Sequence, residues 1–389
     1  MSHFDSLLSK LRAIPPLAPS TAVSKPISAK KDMFGSFKGL VSSLDSKLGS
    51  STPPVPASPN PRRPSVGASA SSVASIAVIG LGYVGLPLAC IFHDAGFSVV
   101  AFDVDAGKIA SFAAPGCYLP HLQGEWDKVC CGKSARFKAT CTEADLSQCD
   151  VFIVCVPTPL GLNQDPDLSH VTSATELVAR NLRAGCLFVL ESTSYPGTTE
   201  EVCLPILSAA GRAVGSELFV AYSSEREDPG NAVHSMRSIP KVVGGYDEHS
   251  LTLADALYST GFAAIHKVSS CRVAEASKIV ENVYRCVNIA LVNELKMTFD
   301  KMDIDIWEVL DAAATKPFGF HRFNPGPGWG GHCIPVDPFY LAHRARSFGI
   351  ETHFIQRAGE INVHMPSYVV SKVPALRLLC AWRVDLRGN

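Results

Sequence analysis

The sequence has no apolar run approaching the ~20 residues that a membrane helix needs. Its formal net charge is −1, so it lacks the basic field that would hold nucleic acid or an anionic membrane surface. Its 13 cysteines form no CxxC pair and no zinc-type Cys/His spacing, which argues against a disulfide framework and against a metal site. Their scatter through apolar runs, as at Cys90, Cys155 and Cys286, reads as core packing in a reducing compartment. The N-terminus, MSHFDSLLSKLRAIPPL, lacks the continuous apolar core of a secretory signal, and no internal repeat is visible. What is left, in 389 residues with 47% hydrophobic and 18% charged content, is a cytoplasmic enzyme or binding protein of two or three domains.

Residues 1–75 are rich in Ser, Pro, Ala and Lys and thin in apolar periodicity, so this extension reads as disordered. Its basic, hydroxyl-rich character fits a transit peptide, but Asp5 argues against one. From Ser75 the texture changes. The runs IAVIG (76–80), SVVAFDVD (98–105), DVFIVCVPTP (150–159), CLFVLEST (186–193) and ELFVAYSS (217–224) alternate with helical stretches. Continuous apolar strands of this kind belong in a parallel sheet covered on both faces, which predicts a doubly wound, Rossmann-type α/β domain over 76–268. A helical domain over 269–365 follows. It opens with about thirty residues (271–302) free of Pro and Gly and apolar at helical spacing. A second helix is expected over 305–315 and a third over 339–349, with 366–389 a linker.

After the first strand, Gly80, Gly82 and Gly85 stand in GxGxxG spacing before a helix. Gly80 permits the tight turn, Gly82 lets a pyrophosphate approach the backbone, and Gly85 lets helix and strand pack closely. Asp103 ends the second strand about twenty residues on, where a carboxylate accepts from a ribose diol and disfavours a 2′-phosphate. The cofactor indicated is NAD, not NADP.

The loop GPGWGGHCIPVDP (326–338) crowds glycine and proline around Cys333 and Asp337, and taken alone leaves Cys333 either a nucleophile or a turn residue. On the long helix, Lys278 and Asn282 share a face and suit an anionic oxygen, or else are solvated. Glu225 follows a strand on the usual ligand side of an α/β sheet, and Thr158 ends another.

Together these stretches resemble the nucleotide-sugar 6-dehydrogenase family, the UDP-glucose/GDP-mannose dehydrogenases. GLGYVGLPLA, VPTPL, ESTSYPGTTEEV, EREDPGN, EASKIVENVYRCVNIALVNE and GPGWGGHCIPVDPFYL recur in family order from about 76 to 370. The resemblance implies that Cys333 is the nucleophile, Lys278 and Asn282 the anion-stabilising pair, and Asp337 the carboxylate that helps activate water. It implies catalytic roles for Glu225 and Thr158, with Glu225, Lys278, Asn282, Arg322 and Asn324 also meeting the sugar. Gly80, Gly82, Tyr83, Val84, Gly85, Asp103, Lys108, Thr158, Ser192 and Ser194 fall on the cofactor site. The reaction implied is a four-electron oxidation of a UDP-sugar C6 alcohol through a thiohemiacetal and a thioester on Cys333, with two NAD used in turn. The motifs look most like the UDP-N-acetylglucosamine branch, with UDP-glucose as runner-up, and the 271–302 helix is the expected homodimer contact. The family's C-terminal UDP-binding domain has no counterpart before Asn389, so the chain reads as a fragment or faulty gene model, or as one that has lost activity. Two other readings stay open: a two-electron hydroxyacid or sugar-phosphate dehydrogenase, and a non-catalytic NAD-binding oligomer partner.

Overall fold

The structure, a computed structural model, describes residues 2–17, 73–161, 165–226, 236–331 and 333–372. Eight strands among these form one sheet: β1 (Ser75–Ile79), β2 (Ser98–Phe102), β3 (Phe137–Thr140), β4 (Val151–Val154), β5 (Cys186–Leu190), β6 (Leu218–Ser223), β7 (Lys241–Gly245) and β8 (Ile265–Val268). Their spatial order is β3-β2-β1-β4-β5-β6-β7-β8. The helices are α1 (His3–Arg12), α2 (Gly85–Ala95), α3 (Ala106–Ser111), α4 (Gln123–Val129), α5 (Ser169–Asn181), α6 (Leu204–Ser208), α7 (Glu248–Tyr258), α8 (Cys271–Lys301), α9 (Ile306–Ala314), α10 (Asp337–Arg346) and α11 (His353–Ser371).

Side chains alternate across each strand, so the apolar runs feed two cores. Ile76 and Val78 of β1, with Val151 and Ile153 of β4, pack on one face against α2, α4 and α7. Ala77 and Ile79, with Phe152 and Val154, pack on the other against α5, α6 and the start of α8. This is the Rossmann-type α/β architecture followed by helices that the strand pattern predicts. The sheet is not wholly parallel. β1 to β6 run parallel, but β7 pairs antiparallel with β6, and β8 runs parallel to β7.

The disorder expected over 1–75 does not extend to its first residues. Ser2 and Asp5 form a reciprocal capping box that starts α1, the Ser2 hydroxyl accepting from the Asp5 N–H at 3.1 Å. Leu7, Leu11 and Ile14 are buried in the core that α7 covers. The Phe4 ring stands edge-on to Phe219 at 6.1 Å, and Lys10 Nζ lies 2.8 Å from Asp150 just before β4. Apolar residues at 4, 7, 8, 11 and 14 are a helical stripe that the surrounding Ser, Lys and Pro residues dilute. The disorder expected for 18–72 and the tail at 373–389 lie outside the described residues. The linker boundary at 366 falls inside α11, which carries Pro366 and continues to Ser371.

The loop bearing Cys333 is built against α8 and α11. The Asn293 side chain donates to Asn362 Oδ1 at 2.9 Å and accepts the Gly326 N–H at 2.9 Å. Pro366 has no N–H to offer the carbonyl of Asn362 four residues earlier. Gly328, at φ +110°, packs on that carbonyl so closely that a Cβ would sit 2.4 Å from the oxygen. Only glycine fits there.

Candidate active site

The dinucleotide cradle forms where β1 turns into α2. A Cβ on Gly80 would lie 2.5 Å from the Cys155 carbonyl oxygen, and one on Gly85 would lie 1.8 Å from that of Gly80. Gly82 has open space around it, as a phosphate-facing position requires. Val84 is the N-cap of α2 without a side-chain cap, so the first N–H groups of the helix are not capped from that position. Tyr83 is exposed and lies parallel to the His121 ring at 6.2 Å. Asp103 accepts from the Leu81 N–H at 2.8 Å, the Asp105 N–H at 2.9 Å and Lys108 Nζ at 3.0 Å. Burial pushes its carboxyl up, but these donors outweigh burial and hold it below the ordinary carboxylate range, charged and acceptor-only. These residues fit NAD: a glycine turn open at Gly82, a helix N-terminus, and an ionised carboxylate at the end of β2.

Lys278 and Asn282, one turn apart on α8, are both buried and face Asp337, the first residue of α10. Asn282 Nδ2 donates to Asp337 Oδ2 at 2.6 Å. Burial drives the Asp337 carboxyl up to about 7, against the opposing pull of Lys278 and the Asn282 bond. Cys333 is held to Asp337 by the turn between them, its carbonyl accepting the Val336 and Asp337 N–H groups at 3.0 and 2.8 Å. A neighbouring ammonium favours a thiolate, yet the Cys333 thiol stands above its ordinary value. Lys278 acts in that direction, but burial, with Asp337 adding to it, leaves the thiol raised.

Glu225 follows β6, and its charge is felt at the Cys333 thiol. Thr158 is half-buried in the loop after β4, where the Tyr340 hydroxyl from α10 donates to the neighbouring Pro159 carbonyl at 3.2 Å. Ser192 bridges the Val156 backbone in both directions, accepting its N–H at 2.9 Å and donating to its carbonyl at 2.8 Å. Its hydroxyl therefore shapes the cleft floor. Ser194 is buried, and its hydroxyl has no partner among the described residues. Arg322 and Asn324 are joined to each other at 3.0 Å, and Arg322 also pairs with Asp311 of α9. No bond among the described residues ties either of them to the Asp337 group.

Three residues that sequence reasoning did not single out stand beside this cleft. Glu275, one turn before Lys278, accepts from the Gly197 N–H at 2.5 Å, the Thr199 N–H at 2.8 Å and the Thr199 hydroxyl at 2.7 Å, clamping the loop after β5 onto α8. Lys241 and Glu191 form a buried pair at 2.9 Å behind Glu225. A charged residue inside an apolar run was the available signal: Glu191 ends CLFVLE and Lys241 opens KVVGG.

The chain matches the NAD binding domain of the UDP-glucose/GDP-mannose dehydrogenase family over residues 74–261 and its central domain over 272–364. The UDP-N-acetyl-D-glucosamine 6-dehydrogenase of Pseudomonas aeruginosa is 42% identical over 317 residues, covering 80% of this chain and 72% of that protein. Its namesake in Salmonella typhi is 39% identical over 297 residues, covering 76% and 68%. Among solved structures, the UDP-D-ManNAc dehydrogenase of Pyrococcus horikoshii is similar with a TM-score of 0.71 at 33% identity, covering 76% of this chain and 70% of that one. The chain belongs to the UDP-glucose/GDP-mannose dehydrogenase family, and its sheet domain is that family's NAD-binding domain.

Proposed function

We propose that this protein oxidises the C6 alcohol of a UDP-sugar to the uronic acid in a four-electron reaction, with UDP-N-acetylglucosamine the favoured substrate. The observation that carries the reading is the 2.6 Å bond from Asn282 to Asp337, which brings the Lys278–Asn282 pair of α8 to the turn that holds Cys333. Two relatives named for UDP-N-acetyl-D-glucosamine, at 42% and 39% identity, support the sugar. UDP-glucose remains the second choice.

NAD supplies the hydride acceptor when bound, and the two hydrides lost from C6 require two NAD per sugar. Gly82, the α2 N-terminus and Asp103 would hold it. Cys333 forms the S–C6 bond to the aldehyde, and the carbonyl oxygen becomes the thiohemiacetal oxygen beside Lys278 and Asn282. Loss of the second hydride and the hydroxyl proton leaves a thioester on Cys333. Asp337, buried and titrating near neutrality, takes a proton from the water that adds to the thioester carbon. The C6–S bond then breaks and the Cys333 thiolate is returned with the free acid. Glu225 and Thr158 orient the sugar and the water.

Two further elements of the reading rest on separate observations. A homodimer through α8 is supported by its exposed apolar line of Val273, Val280, Tyr284 and Leu291. A cytoplasmic location is supported by the twelve described cysteines, all free thiols. No helix among the described residues is long and apolar enough to cross a membrane.

The test is Cys333→Ser incubated with UDP-N-acetylglucosamine and NAD. A serine ester does not turn over as a thioester does, so the variant should stop short of two NADH per sugar or accumulate an adduct visible by intact mass. Acid released at the wild-type rate with two NADH each would reduce Cys333 to a turn residue.

A further inference from the structure

Cys130 and Cys131 are the only adjacent pair among the 13 cysteines, and the reaction proposed above uses neither. Cys130, at the end of α4, is fully buried, whereas Cys131 is exposed. Among the described non-glycine residues only Cys131 and Asp303 have a positive φ, and Cys131 stands at φ 55°, ψ 29°. With Gly132, at φ 66°, it forms the centre of a tight turn that the Lys133 N–H closes on the Cys130 carbonyl at 3.1 Å. In an extended chain neighbouring side chains point to opposite faces. Here an extended Cys130 (φ −73°, ψ 166°) meets a left-handed Cys131, and both side chains turn to one side. The Cys131 thiol lies close enough to act on that of Cys130 as a hydrogen-bond partner.

Cys131 is also tied to the cofactor half of the molecule. Its N–H donates to the Phe112 carbonyl at 2.7 Å, and its thiol donates to that of Ala113 at 3.5 Å. These carbonyls lie at the C-terminal end of α3, the helix from which Lys108 donates to Asp103 at 3.0 Å. A few residues on, the Tyr118 hydroxyl donates to the Leu81 carbonyl of the glycine turn at 2.7 Å. The rings of Phe112, Tyr118 and Trp126 pack on one another, so α3, α4 and the loop between them move as one unit. The dithiol turn closes that unit from behind.

We propose that Cys130 and Cys131 form a reversible dithiol–disulfide site, oxidised by a hydroperoxide, whose closure loosens the hold on NAD. Cys131, the exposed thiol, reacts first. Its sulfur bonds to a peroxide oxygen as the O–O bond breaks, and water or an alcohol leaves. The buried Cys130 sulfur then attacks the resulting sulfenic acid. The S–S bond forms, the S–O bond breaks, and the hydroxyl leaves as water with the Cys130 proton. Two thiols thus give up two electrons to the peroxide. Adjacent Cα atoms stand ~3.8 Å apart across a trans peptide, below the ~4.4 Å at which ordinary disulfides begin. Such a bond is strained and readily reduced, as a reversible site requires. Closure removes the thiol hydrogen that Ala113 accepts and draws Cys131 away from its turn, which frees the end of α3.

The experiment uses the full chain and hydrogen peroxide. Trypsin cuts after Lys128 and Lys133, so the peptide 129–133 carries both of these cysteines and no other. After oxidation it should be lighter by two hydrogens and resist alkylation, and dithiothreitol should restore both thiols. In step with that loss, NAD should bind roughly fivefold to tenfold more weakly by calorimetry, and reduction should recover the affinity. Cys131→Gly, which suits the positive φ, should keep its NAD affinity through the same treatment. The proposal is overturned if the peptide never loses the hydrogens, if NAD affinity is unmoved once it has, or if Cys131→Gly weakens equally. Should Cys131→Gly fail to fold, the wild-type time course decides. Affinity lost and recovered in step with the peptide mass supports the site, and affinity on a different course overturns it. No readout needs turnover of a UDP-sugar, so the outcome is separate from that of the reaction proposed above.

Discussion

Leu11 on α1 is fully buried, and replacing it with alanine removes three carbons from a core shared with α7. In a rigid core that change costs about 2–5 kcal/mol through lost transfer energy and the residual cavity. Here the cost has a ceiling, because α1 is a terminal helix that undocks once its binding to the sheet domain is weaker than the strain of staying. The loss for Leu11→Ala should therefore sit at the lower end, about 2–3 kcal/mol. Adding Leu7→Ala should bring the total only to that of deleting residues 2–17, short of the sum of two independent sites. For a domain of this size each kcal/mol moves Tm by about 2–4 °C, so a fall of roughly 4–12 °C is expected. Scanning calorimetry measures it, and hydrogen exchange on the peptide spanning 2–14 reports whether α1 stays docked. Unchanged Tm in both Leu11→Ala and the deletion, with residues 3–12 exchanging like a free peptide, would refute the reasoning.

The Glu275 carboxyl, raised from 4.5 to about 7 by burial, adds stability that is fully present below about 4.5 and is lost as pH rises through about 7. The stability difference between wild type and Glu275→Gln, from urea unfolding, should therefore change by roughly 3 kcal/mol between pH 4.5 and 8, and a difference constant with pH would count against it. Val280→Asp places a charge on the exposed line of α8 and should halve the sedimenting mass if two copies meet there. A wild type that sediments as a monomer, or a variant that keeps its mass, removes the dimer contact.

The sheet was legible wherever strands are buried on both faces. β4 and β5 are apolar throughout, β1 and β6 apart from one terminal serine each, and their runs announce them. β3 and β8 are four-residue edge strands carrying exposed polar residues, too short for any alternation to stand out. β7, KVVGG, shows three non-glycine residues, and its antiparallel direction depends on a connection that no local pattern encodes. In the site, glycine spacing and the Cys333 loop were readable because backbone geometry demands particular residues there. Lys241 and Glu191 were not, since their pairing joins β5 to β7 across 50 residues. The α1 helix was hidden by composition: a ten-residue helix at the edge of a Ser/Pro-rich extension counts little in any average.

α8 explains how the two halves of the site are kept in register. At 100° per residue, Glu275, Lys278, Asn282, Cys286 and Asn293 fall within about 80° of one another, and all are buried. Val273, Val280, Tyr284 and Leu291 cluster on the opposite side and are exposed. The buried side of the helix thus carries a polar line among its apolar residues, and the exposed side carries an apolar line. A buried polar line is tolerated only if its members find partners, and these partners are spread over separate elements. Glu275 takes the loop after β5, Asn282 takes Asp337 of α10, on which the Lys278 charge also acts, and Asn293 takes both Gly326 and Asn362 of α11. One rigid rod therefore sets the distance from the cofactor half to the Cys333 loop. Its outward line presents apolar surface that water penalises, which couples burial of that line to the same rod that spaces the catalytic groups. A change that tilts α8 would reach Asp337 and the outer face together, through packing alone.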